Sequence, residues 1–358
     1  MVAVTRIPTR AWVGCVLAAL VATGCSSSTV TASPSSIPSL GGGATSTPTT
    51  TLVVPPTSPS PVAIGNGEPW IVYQWGTPCG LSSSDTDTVC LVRPDGSGRH
   101  PLPLAAGEAK HPDWSHDGEQ LAFVVNDAVW VAAPDGTNAR ALVSCDGDPC
   151  MALDYPAWSP DGTRIAYVRY DGPPVAGGPP SSSAIEIANV ASGAHSVVTQ
   201  TDRLELVDQP RWSADGRTVV VQLERFAADG TETGAAIAIL DAAGGAKPKP
   251  ITDFALFATY PDWNPTSERI VFTTHDVDPS GAPVRLYLVR DDGSDLMPID
   301  YEGSSSQRSA QPSWTPDGSK VIFVQMGSRT AALVNPDGSG LQLLEGWPAT
   351  HPRLRPTP

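Results

Sequence analysis

The chain has 358 residues, with 22 Lys+Arg against 37 Asp+Glu and a net charge of −15. That balance excludes a nucleic-acid binder working by counterion release, and a polybasic patch for a lipid surface. Charged residues are only 16% of the chain, while Pro (37) and Gly (33) are abundant, which favours a turn-rich chain over a helical one.

Arg6 and Arg10 form a positive n-region ahead of the apolar run 11–22 (AWVGCVLAALVA). The run is too short to span a bilayer and has the length of a signal-peptide h-region. It ends in Ala22-Thr23-Gly24-Cys25-Ser26, small residues before a Cys. This resembles a bacterial lipobox. It implies removal of residues 1–24 and lipidation of Cys25. A plain secretory signal cut near the same place is the alternative. Residues 26–62 hold no charge and no aromatic ring, and 25 of the 37 are Ser, Thr or Pro. Such a segment cannot bury enough apolar surface to offset its ordering entropy. It reads as a disordered tether.

From residue 63 the chain repeats itself. Five segments align: HPDWSHDGEQLAFV from His111, YPAWSPDGTRIAYV from Tyr155, QPRWSADGRTVVV from Gln209, YPDWNPTSERIVFT from Tyr260 and QPSWTPDGSKVIFV from Gln311. Their tryptophans (Trp114, Trp158, Trp212, Trp263, Trp314) are spaced by 44, 54, 51 and 51 residues. Downstream comes an apolar run ending in a tight turn, as in VWVAAPDG, LYLVRDDG and AALVNPDG. Each unit therefore offers four short strands joined by Asp-Gly-type turns and a hairpin, the layout of a propeller blade. The stretch WIVYQ from Trp70 matches a second strand with no first strand before it. The end HPRLRP from His351 matches a first strand, with Leu354 where Trp is usual. The expectation is an all-β, six-bladed propeller over 63–356, closed by strands from the N- and C-terminal ends, which removes exposed sheet edges. The repeated Trp reads as packing between blades.

The motif x-Pro-x-Trp-Ser-Pro-Asp-Gly resembles the TolB-like propeller repeat, a relative of the WD-type repeat. The resemblance covers nearly all of 68–356. It implies a cell-envelope protein working by protein contact. Full TolB proteins carry a further N-terminal α/β domain, where this chain has its tether.

The short SPDG and PDGSG turns share one face. The loops that vary in length and composition fall on the other: 76–89, 171–183, 227–234, 275–283, 144–154, 201–208 and 301–310. Function concentrates on such loops. Four cysteines remain beyond Cys15 and Cys25: Cys79, Cys90, Cys145 and Cys150. An exported domain with an even count reads as disulfides. Proximity favours Cys79–Cys90 and Cys145–Cys150, although three pairings exist. No C-x-x-C occurs, so no metal site is expected there.

The residue before the repeated Pro sits near the loop-face end of each innermost strand. That position holds His111, Tyr155, Gln209, Tyr260, Gln311 and His351. Two residues on stand Asp113, Ala157, Arg211, Asp262, Ser313 and Arg353. Together they offer a site for a small polar ligand or a peptide end. The competing reading is that these side chains bond backbone at the blade junctions and channel water. His111 and His351 belong to adjacent blades and can approach each other.

No G-x-S-x-G, no H-E-x-x-H and no marked nucleophile appears, so no catalytic residue is assigned. The loop starting Asp276-Val277-Asp278-Pro279-Ser280-Gly281 resembles the start of a calcium loop, but position 12 is Tyr287 where Glu is needed. No cofactor is expected, with Ca²⁺ the one candidate. The sequence thus points to a monomeric lipoprotein on the outer side of the cell membrane that binds an envelope protein or cell-wall component. The alternatives are a propeller lyase or hydrolase and a small-ligand sensor.

Overall fold

The computed structural model describes residues 62–65, 67–76, 79, 87–104, 108–172, 179–274 and 284–357. The signal segment, Cys25, the tether and the loop 276–281 lie outside the described residues. From Ser60 to Pro358 the chain forms one compact unit.

That unit holds six four-stranded antiparallel sheets. In blades 2 to 6 the innermost strands are Ala109–Trp114, Cys150–Trp158, Glu205–Trp212, Ala258–Trp263 and Ser309–Trp314. Each ends on the repeated Trp. An apolar run follows as the second strand, such as Leu121–Val125 or Val321–Gln325, and both are buried throughout. Blade 1 takes Thr350–Leu354 as its innermost strand, beside Ile71–Gly76, Asp87–Val92 and His100–Pro101. The register is Ile71 with Leu354 and Val72 with Arg353. The expected closure by both ends is therefore what forms.

The tryptophans pack between blades, as expected. Their exposures run only from 5% to 8%. Trp114 sits among Trp70, Val72 and Leu91 of blade 1. Trp212 sits among Ala166, Val168 and Ile185 of blade 3. Trp314 sits among Val271 and Leu288 of blade 5. Burying rings of this size is the main favourable term at each junction. Two indoles also donate inward across a junction: Trp114 Nε1 to Arg353 O at 3.2 Å and Trp212 Nε1 to Ala157 O at 3.0 Å.

The turn after each Trp is a small hydrogen-bonded unit. Ser159 Oγ donates to Asp161 Oδ1 at 2.6 Å and accepts from Arg164 N at 3.0 Å. Asp161 also accepts from Thr163 N at 3.0 Å. The same set recurs at Ser115/Asp117, Ser213/Asp215 and Thr315/Asp317. Burial works against the Asp161 charge, but these donors outweigh it and hold its pKa down at about 2.

Arg355 clasps the closure. Its Nε donates to Gly118 O at 2.8 Å and its Nη1 to Gly65 O at 2.8 Å. Gly118 has φ +70°, and a Cβ there would stand 2.3 Å from Pro356 O, so only glycine fits. The entering segment near Gly65 and the departing segment near Pro356 both lie against this turn of blade 2.

Both proximal cysteine pairs are disulfides: Cys79–Cys90 with Cα atoms 5.8 Å apart, and Cys145–Cys150 at 5.6 Å.

Candidate functional site at the channel mouth

All six residues of the expected ring have left-handed backbones. The φ values are 51° (His111), 47° (Tyr155), 51° (Gln209), 54° (Tyr260), 55° (Gln311) and 50° (His351). None is glycine and each precedes Pro. In each innermost strand the register breaks across this position, for example between Lys110 and Asp113 and between Asp208 and Arg211. The proline cannot donate to the ladder, so the strand bulges there. A non-glycine residue held this way costs on the order of 1–3 kcal/mol, and such strain clusters at functional sites.

The bulge takes the ring residues out of the ladder, and at five of the six a side chain accepts from the backbone N–H. His111 N donates to Gln74 Oε1 at 3.1 Å and Tyr155 N to Asp154 Oδ1 at 3.0 Å. Gln209 N donates to Asp208 Oδ1 at 2.7 Å. Tyr260 N donates to Gln209 Oε1 at 2.8 Å, and His351 N to Gln311 Oε1 at 2.9 Å. For the two glutamines the backbone-bonding alternative is therefore what the structure shows. The four aromatic members gather at the axis. His111 stacks on Tyr155 with centroids 3.8 Å apart, and His351 meets His111 edge-on at 4.6 Å and Tyr260 at 5.6 Å. The expected approach of the two histidines is realised.

The second ring closes the channel with charge. Asp113 and Asp262 face each other from blades 2 and 5, and Arg211 and Arg353 from blades 4 and 1. Arg353 Nη1 lies 2.9 Å from Asp262 Oδ1 and its Nε lies 3.9 Å from Asp113 Oδ1. Arg211 Nε stands 3.6 Å from Asp262 Oδ1. The carboxylates also tie neighbouring blades: Asp113 Oδ2 accepts from Trp158 N at 2.9 Å, and Asp262 Oδ2 from Trp314 N at 2.7 Å. Ala157 contributes only its carbonyl, to Trp212, while Ser313 Oγ donates to Pro352 O at 3.1 Å. Burial lowers the Arg211 pKa to about 10, helped by the neighbouring charge of Arg353. Burial likewise drives the His351 pKa well below its usual value, with the charges of His111 and Arg353 adding to it, so the imidazole is neutral.

One step toward the loop face lies a layer that the repeat alignment did not single out. Asp154 is fully buried and takes Lys110 Nζ at 2.6 Å and His111 Nδ1. Burial opposes its charge, but His111 and Lys110 hold its pKa far below the usual carboxylate range. The same position in blade 4 is Asp208, which forms no ion pair among the described residues and feels Lys110 only at a distance. Burial pushes its pKa up to about 7, against hydrogen bonds from Tyr170 and Gln209 N and with the charge of Asp154 adding to the rise. Glu224 and Glu232 are also raised by burial, Glu232 to about 6. Reading the aligned repeats one residue upstream (Lys110, Asp154, Asp208) is the signal that would have found these groups.

Among the described residues no cluster of His, Cys, Asp and Glu has the makings of a metal site, and no helix is long and apolar enough to cross a membrane. An open groove of about 730 Å³, lined by Arg164, Arg217, Lys247 and Lys249, lies on the turn face, away from the ring.

The family profile of the TolB β-propeller domain matches residues 118–356. No curated protein sequence matches the chain. Among solved structures, TolB from Acinetobacter baumannii superposes with a TM-score of 0.61 at 16% identity, over 81% of this chain and 67% of that one. A putative TolB from Agrobacterium tumefaciens gives 0.54 at 18% identity, over 78% and 89%. At these identities the likeness is one of fold.

Proposed function

We propose a docking role for this chain, which belongs to the TolB β-propeller family: it is exported, anchored through a lipid on Cys25, and binds an envelope protein or cell-wall component through its loop face and channel mouth. The observation that carries the reading is the ring of six strained, non-glycine residues at one level of the channel. Strain of that kind is retained where it serves recognition. Two of the variable loops beside it are stapled by disulfides, which keeps such a surface in shape before a partner arrives. Membership of the TolB β-propeller family supports protein contact in the envelope as the use of this fold.

A photo-crosslinking residue at Leu204, exposed on the loop face, is expected to capture a partner in intact cells. The same residue at Arg217, exposed on the turn face, is expected to capture none. Paired replacement His111→Ala and His351→Ala is expected to abolish the Leu204 product. Equal capture from both faces sinks the docking assignment. Cys25→Ser is expected to move the protein from the membrane to the soluble fraction; retention at the membrane removes the anchor.

A further inference from the structure

We propose that the space between the two rings is a binding site for a small anion, sized for one carboxylate oxygen. The space is a cavity of about 10 Å³, room for roughly one water, lined by Tyr155, Gln209, Arg211, Tyr260, Gln311, His351 and Arg353. Neither Asp113 nor Asp262 lines it.

Apart from Pro261 and Pro312, every residue lining this cavity carries a side-chain donor and none carries a carboxylate. Arg211 is 9% exposed, yet its Nε has no hydrogen-bond partner. Both ring nitrogens of His351 are buried and unpartnered, and in either neutral tautomer one carries a proton. The carboxamide oxygens of Gln209 and Gln311 are committed to backbone N–H groups, which leaves their NH₂ groups for other work. Those groups reach the phenols of Tyr155 and Tyr260, and the two phenols hydrogen-bond each other. A buried unpartnered donor costs about 1–3 kcal/mol, and a single anionic atom on the axis would satisfy several at once. The two guanidiniums share Asp262, and the charge of Arg353 adds to the lowering of the Arg211 pKa by burial; an anion relieves that repulsion. A cation has the opposite fit, since every committed acceptor here already holds a backbone proton.

The site goes beyond the docking role, because this chain alone defines it. The carboxylate can arrive as a small free anion or as the end of a partner chain, and the two are separable. The test is thermal unfolding of the full chain in sodium formate against sodium gluconate at equal ionic strength, gluconate being too large to enter. A rise of about 2–5 °C in formate is expected. Arg211→Gln is expected to erase it. Should that variant fail to fold, Gln311→Glu serves: it keeps the acceptor for His351 N and places its own carboxylate in the cavity. It is expected to unfold higher than the parent in gluconate and to ignore formate. Trialanine and its C-terminal amide separate the sources. Stabilisation by the acid and not the amide means a chain end enters; stabilisation by formate alone means a free anion does. No formate rise in the parent, an equal rise in Gln311→Glu, or equal stabilisation by both acid and amide overturns the site. None of these readings needs the docking partner, so the two proposals fail separately.

Discussion

Asp208 and Asp154 occupy the same register position in neighbouring blades, yet their carboxyl groups behave in opposite ways. Lys110 and His111 keep Asp154 ionised, whereas burial lifts the Asp208 pKa to about 7. A raised carboxyl pKa favours the folded state while the group is protonated, and the advantage is lost as pH climbs from the unfolded value near 4 through 7. Asp208→Asn retains an acceptor for Gln209 N and removes the charge. It is expected to stabilise the protein by about 1–2 kcal/mol at pH 8.5 and by nothing at pH 4.5, read from urea midpoints. A gain that is the same at both pH values refutes the assignment. The turn aspartates act with the reverse sign. The Asp161 pKa is depressed to about 2, so its stabilisation is complete above pH 4 and disappears between about pH 4 and 2. In the second ring, Asp262→Ala strips the shared partner from Arg211 and Arg353 and the acceptor from Trp314 N. The expected cost is about 3–5 kcal/mol, and a loss under 1 kcal/mol in denaturant titration means the quartet is not a unit.

At the level of strands and turns, the closure and the disulfides can each be challenged. Gly118 and Gly162 have nearly the same backbone, φ +70° and +67°, but only Gly118 abuts Pro356 O; nothing lies within 4 Å of a Cβ at Gly162. Gly162→Ala is therefore expected to lose about 1–2 kcal/mol for its left-handed backbone alone. Gly118→Ala should lose clearly more, because the departing segment must shift. Equal losses mean the clasp contributes nothing. The disulfides close short loops, with sequence separations of 11 and 5. Reduction of both is expected to lower stability by about 2–3 kcal/mol for each loop closed, seen as a drop in urea midpoint on adding reductant.

For the molecule as a whole, the six sheets, their closure and the two disulfides were legible from the chain itself. Trp at one register in five repeats announces a packing layer, and the WIVYQ and HPRLRP fragments each lack what the other supplies. Cysteine proximity favoured the pairing that the structure shows, because each pair spans a single loop. The left-handed ring was not read, though Pro inside six equivalent strands was its signal: a residue that cannot donate to the ladder forces a bulge. Nor were the acids beside the mouth read, because their significance lies in which cation is missing, and a list of residues does not show that. Members of both six-residue rings come together around a small hollow at the channel mouth.

The hydrogen bonds between Ile71–Gly76 and Thr350–Leu354 join segments far apart in the sequence. Five blades can assemble as they emerge, but the first keeps an unpaired flank until Thr350–Leu354 has been synthesised. Contacts of this separation form slowly, because loop-closure entropy is spent before they reward it. The ring consequently stays unsealed until that strand is made. A chain ending at residue 349 is expected to stay in that state permanently, digested by protease at a rate the sealed protein resists.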